Sequence, residues 1–164
     1  LGISLKRQVD TALAGKKMEY HLFKGSESPY DPELPYTLGG LQKAKTNRET
    51  FFNKRAQMWW KLRDRFEATY RAVSKGQYIN PEELISLSSE IDSIEQLRSE
   101  VCRIPLKRAN SGKIQILSKV EMAKKPYSIP SPNMGDALMM SMHTPKLNMV
   151  KPVQIDFAGW KQYG

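Results

Sequence analysis

Asp136 is the acid whose surroundings most demand an explanation. It stands in the stretch SPNMGDALMMSM, residues 131–142, within the first turn or so of an otherwise apolar, Met-rich helix. Two readings are open. A carboxylate there is stabilised by the positive end of the helix, or it projects from a buried helix toward a divalent cation, which needs hard oxygen ligands. The rest of the catalytic inventory is negative. No G-x-x-x-x-G-K-[ST], G-x-G-x-x-G or H-E-x-x-H sequence occurs, so nucleotide hydrolysis and zincin chemistry have no local support. His21 and His143 are the only histidines, neither sits near a plausible triad, and both read as structural or surface residues. Cys102 is the single cysteine, which excludes a disulfide scaffold; it reads as a small buried residue in a strand.

Charge supplies the second chemical signal. The 164 residues carry a formal +9, unevenly placed: residues 42–76 hold a net +7, residues 77–100 a net −5 and residues 101–125 a net +6. Any one lysine reads well as part of a solvated helix face. Two basic blocks are harder to dismiss, because a concentrated positive field repels itself and attracts polyanions; a nucleic-acid backbone is the partner that fits. The chain is long enough to bury a core without metal or disulfide staples. Its longest purely apolar run, residues 137–140, is far short of the roughly 20 residues a bilayer span needs, so no membrane span is expected. The opening LGISLKRQVD has neither an initiator Met nor a signal pattern and reads as the interior of a longer polypeptide.

The elements that must position these residues alternate between helix and strand. Ser4 to Ala14 reads as a helix stopped by Gly15, and Met18 to Phe23 as a strand. Gly25 to Arg48, with Pro29, Pro32, Pro35 and Gly39-Gly40, reads as a long loop of the lid, binding or disordered kind. Thr50 to Ser74 reads as a strong helix ended by Gly76, and Asn80-Pro81-Glu82-Glu83 opens another that runs to about Arg98. Val101 to Arg108 and Lys113 to Ser118 read as strands of an antiparallel hairpin turning through Asn110-Ser111-Gly112. Ser118-x-x-Glu121 caps one short helical turn, and Ser131-Pro132 opens a helix to about His143. The remainder, interrupted by Pro145 and Pro152, is a tail.

On the long helix, Phe52, Ala56, Trp59, Leu62, Phe66, Tyr70 and Val73 form one apolar stripe. Arg55 and Arg63 both fall within about 40° of the Trp59 direction, inside that arc, where an unpaired charge is costly. Arg63 is expected to snorkel. For Arg55 a structural role and a place in a functional site remain equally open.

Taken together, NKRAQMWWKLR at 53–63, the helix start at Asn80-Pro81, GKIQILSK at 112–119 with Glu121-Met122, and SPNMGDAL at 131–138 resemble the C-terminal nuclease domain of the large terminase subunit of tailed bacteriophages. The resemblance runs from about Leu1 to Met142 and rests on order and spacing. It implies an α/β, ribonuclease H-like fold, a mixed sheet flanked by helices. Residues 1–143 would be the nuclease-like domain, lacking its N-terminal strands, and 144–164 a tail. It implies cleavage of concatemeric double-stranded DNA with two Mg²⁺ or Mn²⁺ ions, Asp136 matching the family's last catalytic and metal-binding acid. The family's other acids would lie before Leu1, which leaves this segment alone inactive. Asn133 and Gly135 stand where the family pattern often has Asp and Ala, and Gly is expected to loosen the helix start. The implied partners are a separate ATPase domain, the portal and the small terminase subunit, in the cytoplasm of an infected host. Candidate DNA contacts are Lys54 and Arg55 on the long helix, and Arg103, Lys107, Arg108 and Lys113 about the hairpin. The competing readings are a non-catalytic nucleic-acid-binding module and a docking module whose tail presents Phe157, Trp160 and Tyr163.

Overall fold

The computed structural model describes residues 2–16, 22–36, 45–107 and 111–142, without the side chains of residues 2–5. Most of the expected Met18–Phe23 strand, both histidines, Arg108 and the tail lie outside the described residues. Six α-helices are present among the described residues: α1 (Gly2–Leu13), α2 (Asn47–Thr50), α3 (Lys54–Lys75), α4 (Ile94–Cys102), α5 (Lys119–Ala123) and α6 (Asn133–Ser141). Gly15, at φ +78°, succeeds α1 in the left-handed conformation that only Gly adopts without strain.

The expected helix from Thr50 is two helices. Thr46 and Glu49 cap α2 reciprocally, each side chain meeting the other's backbone N–H. Phe51 then leaves the helix to form a parallel bridge with Ile114; Phe52 N–H donates to the Ile114 carbonyl at 2.9 Å and Ile114 N–H to the Thr50 carbonyl at 2.8 Å. Asn53 restarts the helix by accepting the Ala56 N–H at 2.9 Å, and Gly76, at φ +61°, ends it. The apolar stripe is buried only from Ala56 to Leu62, and Phe52 before it is 52% exposed. Ala56, Trp59 and Leu62 join Met58, Ile85, Ile116 and Met139 in the core, whereas Tyr70 and Val73 are 59% and 79% exposed.

Asn80 does act as a cap, but the helix it opens is a single 3₁₀ turn, Pro81–Glu83. The chain beyond that turn is held open by α3: Arg65 donates to the Leu84 carbonyl at 2.9 Å, and the Thr69 hydroxyl accepts the Ile85 N–H at 2.9 Å. That anchoring places Ile85 in the core, and helix resumes only at Ile94. Val101 and Cys102 end α4 instead of opening a strand, and Cys102 is exposed, not buried.

Extended pairing among the described residues is limited to isolated bridges: Leu106 with Ile116 (antiparallel), Phe51 with Ile114 (parallel) and Pro35 with Thr46 (antiparallel). The mixed sheet expected from the sequence is therefore not formed by the described residues. What remains of the hairpin is Lys107 N–H to the Gln115 carbonyl at 2.7 Å and Leu117 N–H to the Pro105 carbonyl at 3.2 Å. The described parts of the long loop are strapped to α3 and not free as a lid. Gln57, fully buried, accepts the Tyr30 N–H at 2.7 Å and donates to the Tyr30 carbonyl at 3.0 Å.

The capping box expected at Ser118 and Glu121 is present, and Glu121 also meets Lys107 at 2.5 Å. Hydrogen bonds from Lys107 first, then from the Ser118 N–H and hydroxyl, hold the Glu121 carboxyl down at about 2, against its ordinary 4.5. A folded-state value below the unfolded one gives stability that is present above pH 4.5 and is lost as pH falls toward 2. Thermal melts of wild type and Glu121→Gln should therefore differ at pH 7 and converge as pH falls through that window; a gap that persisted at about pH 2 would show that the charge is not its source.

Candidate active site around Asp136

Asp136 is reached through α6, whose first turn is built unusually. Ser131 is not the cap expected of it: Pro132 occupies the N-cap and has no side-chain bond to offer, while the Ser131 hydroxyl donates to Asn133 Oδ1 at 2.9 Å. Asp136 N–H donates to the Pro132 carbonyl at 2.7 Å, closing the first helical bond. The side chain then points inward and is only 10% exposed.

Three donors from distant parts of the chain converge on its carboxylate. The Trp59 indole Nε1–H reaches Oδ1 at 3.1 Å. Lys119 Nζ, from the first residue of α5, lies 2.7 Å from Oδ2. Arg55 Nη2 lies 3.6 Å from Oδ1, an ion pair too long to be a hydrogen bond. Arg55 is fixed by its other arm, which donates to the Leu117 carbonyl at 2.9 Å. Burial pushes the Arg55 guanidinium below its usual value, and the Asp136 charge opposes that shift. The stripe position of Arg55 is thus resolved: it is neither solvated nor unpaired but faces the acid. Arg63 does snorkel, half exposed, meeting Glu67 at 2.7 Å and lying 5.1 Å from the centre of the Trp60 ring.

Gly135 has a reason of its own. A Cβ built on it would lie 2.7 Å from Trp59 Cη2, so the glycine admits the indole edge that holds Asp136; it does not merely loosen the helix. Glu100, on α4, accepts the Gly135 N–H at 2.9 Å. Burial raises the Glu100 pKa, but hydrogen bonds from Gly135, Gln96 and Met134 outweigh it and leave the carboxyl below its ordinary value.

The other candidate contacts are scattered. Lys54 is 8% exposed, 2.6 Å from Glu27 and 4.3 Å from the centre of the Tyr30 ring, so its charge is spent inside the protein and is withdrawn from the surface expected for it. Lys107 is engaged with Glu121, Arg103 is exposed at the end of α4, and Lys113 is half-buried beside the turn. Lys119 and Glu100 were missed from sequence. The capping box places Lys119 at a helix start, but no local signal brings it to Asp136. An apolar groove of about 720 Å³ between Trp59, Phe66, Leu97 and Ile116 does not include Asp136. The site is therefore identified by its chemistry, not by cavity size.

No group of three or more His, Cys, Asp or Glu side chains converges among the described residues. Asp136 fits a divalent cation as one carboxylate ligand, and the described residues do not fit a complete metal site, least of all a two-metal one.

Residues 11–144 match the model of a family described as the terminase RNase H-like domain. Among solved structures the chain is similar to the nuclease domain of the large terminase subunit gp2 of bacterial virus Sf6, at 44% identity and a TM-score of 0.78. A point mutant of that domain with manganese and one with calcium each match at 42% identity and a TM-score of 0.78. Each match covers 88% of this chain and 62% of the solved one, so the chain spans less than two thirds of the length of these structures. No curated protein matches the chain.

Proposed function

The chain belongs to the terminase RNase H-like domain family, and from that premise we propose that it forms part of a divalent-metal-dependent endonuclease that cuts concatemeric double-stranded viral DNA during packaging. The observation that carries the reading is Asp136, a carboxylate held in the first turn of α6 by Trp59, Arg55 and Lys119. In this reading Asp136 is one ligand of a Mg²⁺ or Mn²⁺ site whose remaining ligands lie outside the described residues. The chemistry such a site supplies when loaded is activation of water and stabilisation of the departing oxygen. The part played by this chain's own residues is orientation and charge. The Trp59 indole fixes Oδ1, and Arg55 and Lys119 offset the charge of a phosphodiester brought beside it.

Arg103, Lys107 and Lys113, with Arg108, contact phosphates without reading sequence. Residues 1–143 act as the nuclease-like unit, while the tail 144–164 docks on the portal. The ATPase domain and small terminase subunit complete the machine in the host cytoplasm. The test is nicking of supercoiled plasmid by the full-length protein in Mn²⁺ or Mg²⁺. Cutting that disappears with EDTA and returns with added metal is expected. Cutting indifferent to EDTA, or none in either metal, overturns the reading.

A further inference from the structure

Every helix begins with N–H groups that have no partner within it, and they must be satisfied from elsewhere. In α6 one of these partners comes from a distant part of the chain. Asn133 N–H donates to the Ser131 carbonyl at 2.9 Å. The Gly135 N–H goes to the carboxylate of Glu100, at 2.9 Å to Oε2. The other oxygen, Oε1, is held by Gln96 one turn earlier on α4, at 3.0 Å. The Pro132 N-cap could not do this work, because its side chain carries no acceptor. Glu100 is also seated against the turn it caps: its Cβ lies 3.6 Å from the place a Cβ on Gly135 would take.

The residue immediately after Gly135 is Asp136. We infer that Glu100 is a positioning residue for Asp136: by capping α6 from α4 it fixes the turn that aims the Asp136 carboxylate at Trp59 and Lys119. Its importance for cleavage rests on the nuclease reading above, but the positioning itself does not. An acid at Glu100 meets repulsion from Asp136, and a Ser or Asn on α6 itself would have avoided that. Only a longer side chain from α4 ties the turn to the helix on which it packs.

Hydrogen exchange on the 164-residue chain separates the roles. In Glu100→Ala the Gly135 and Asp136 amides and the Trp59 indole N–H should exchange about tenfold faster, the scale set by loss of a cap, while the amides of Leu62 and Phe66 in α3 stay unchanged. Glu100→Gln keeps an acceptor and should restore most of the protection. Unchanged exchange at Gly135 and the Trp59 indole in the Ala variant, equal acceleration throughout α3, or a Gln variant as exposed as the Ala variant would each overturn the inference. Nicking by the full-length protein then reads the consequence. At saturating metal, Glu100→Ala should slow the maximal rate about tenfold with little change in half-saturating DNA, and Glu100→Gln should recover it. A wild type that does not nick sinks the nuclease reading and leaves the positioning to be decided by exchange. A wild type that nicks, with Glu100→Ala nicking equally fast, shows that the turn needs no such support and overturns the positioning role.

Discussion

Asp136→Asn in the full-length protein should lower metal-dependent nicking at least about a hundredfold and cost less stability than Asp136→Ala, because both remove the charge facing Arg55 but only Asn keeps the volume. Asn keeps an oxygen for the Trp59 indole, which lies 3.1 Å from Oδ1. Asp136→Ala should lose cutting to the same extent and destabilise more. Either substitution leaves Arg55, whose side chain is 15% exposed, without its counter-charge, and Ala also removes the oxygen to which the Trp59 indole donates. An uncompensated buried charge costs about 3–5 kcal/mol, and that range is an upper bound here because Arg55 retains the Leu117 carbonyl. Lys119 adds little to this loss: it is half exposed and can turn to water. The two variants therefore separate chemistry from packing, read as nicking rate against melting temperature. ATP hydrolysis should be untouched in both. An Asn variant that still cuts at the wild-type rate would remove Asp136 from the site.

Gly135→Ala should lower the melting temperature by several degrees, although helix propensity alone argues the opposite. Ala is favoured over Gly inside a helix by about 1 kcal/mol. The added Cβ, however, would stand 2.7 Å from Trp59 Cη2, closer than carbon atoms approach. Trp59 cannot yield cheaply. It is buried in the core, and its Nε1 is committed to Asp136. Overpacking of this kind costs about 1–3 kcal/mol, and in a chain of this size each kcal/mol moves the midpoint by about 2–4 °C. Trp59→Phe removes the colliding atom, so the double variant should lose less than the two single losses added together. Circular dichroism melts of the three variants decide it. A higher midpoint for Gly135→Ala would show that the close approach is relieved by a small shift of α6, and would return this glycine to the status of a weak helix former.

Several features were legible in the residues alone, and all of them depend on neighbours within about four positions. Gly15 and Gly76 stop helices where expected, Asn80 caps the turn at Pro81, and Ser118 and Glu121 form their box. These signals are local because a cap or a stop concerns one turn of backbone. The family, too, was legible, since it rests on the order of such signals along the chain. The errors share the opposite property. Thr50 to Ser74 breaks at Phe51 because that residue pairs with Ile114, and the segment after Glu83 stays open because Arg65 and Thr69 hold Leu84 and Ile85. In both cases a partner distant in sequence outbids a helical preference worth only tenths of a kcal/mol per residue.

The site divides in the same way. Sequence picked out Asp136 because an acid in an apolar helix is conspicuous, and Arg55 because a cation within an apolar stripe must find a partner. That each helps to answer the other was decided only by the packing of α3 against α6, the role of Glu100 by the packing of α4 against α6, and the arrival of Lys119 at the same carboxylate by the tertiary placement of α5. Trp59 is separated from Asp136 by 77 positions and Glu100 from Gly135 by 35. No periodicity of helix or strand relates residues so far apart. Charge and burial announce that a partner is required, and only the tertiary fold names it.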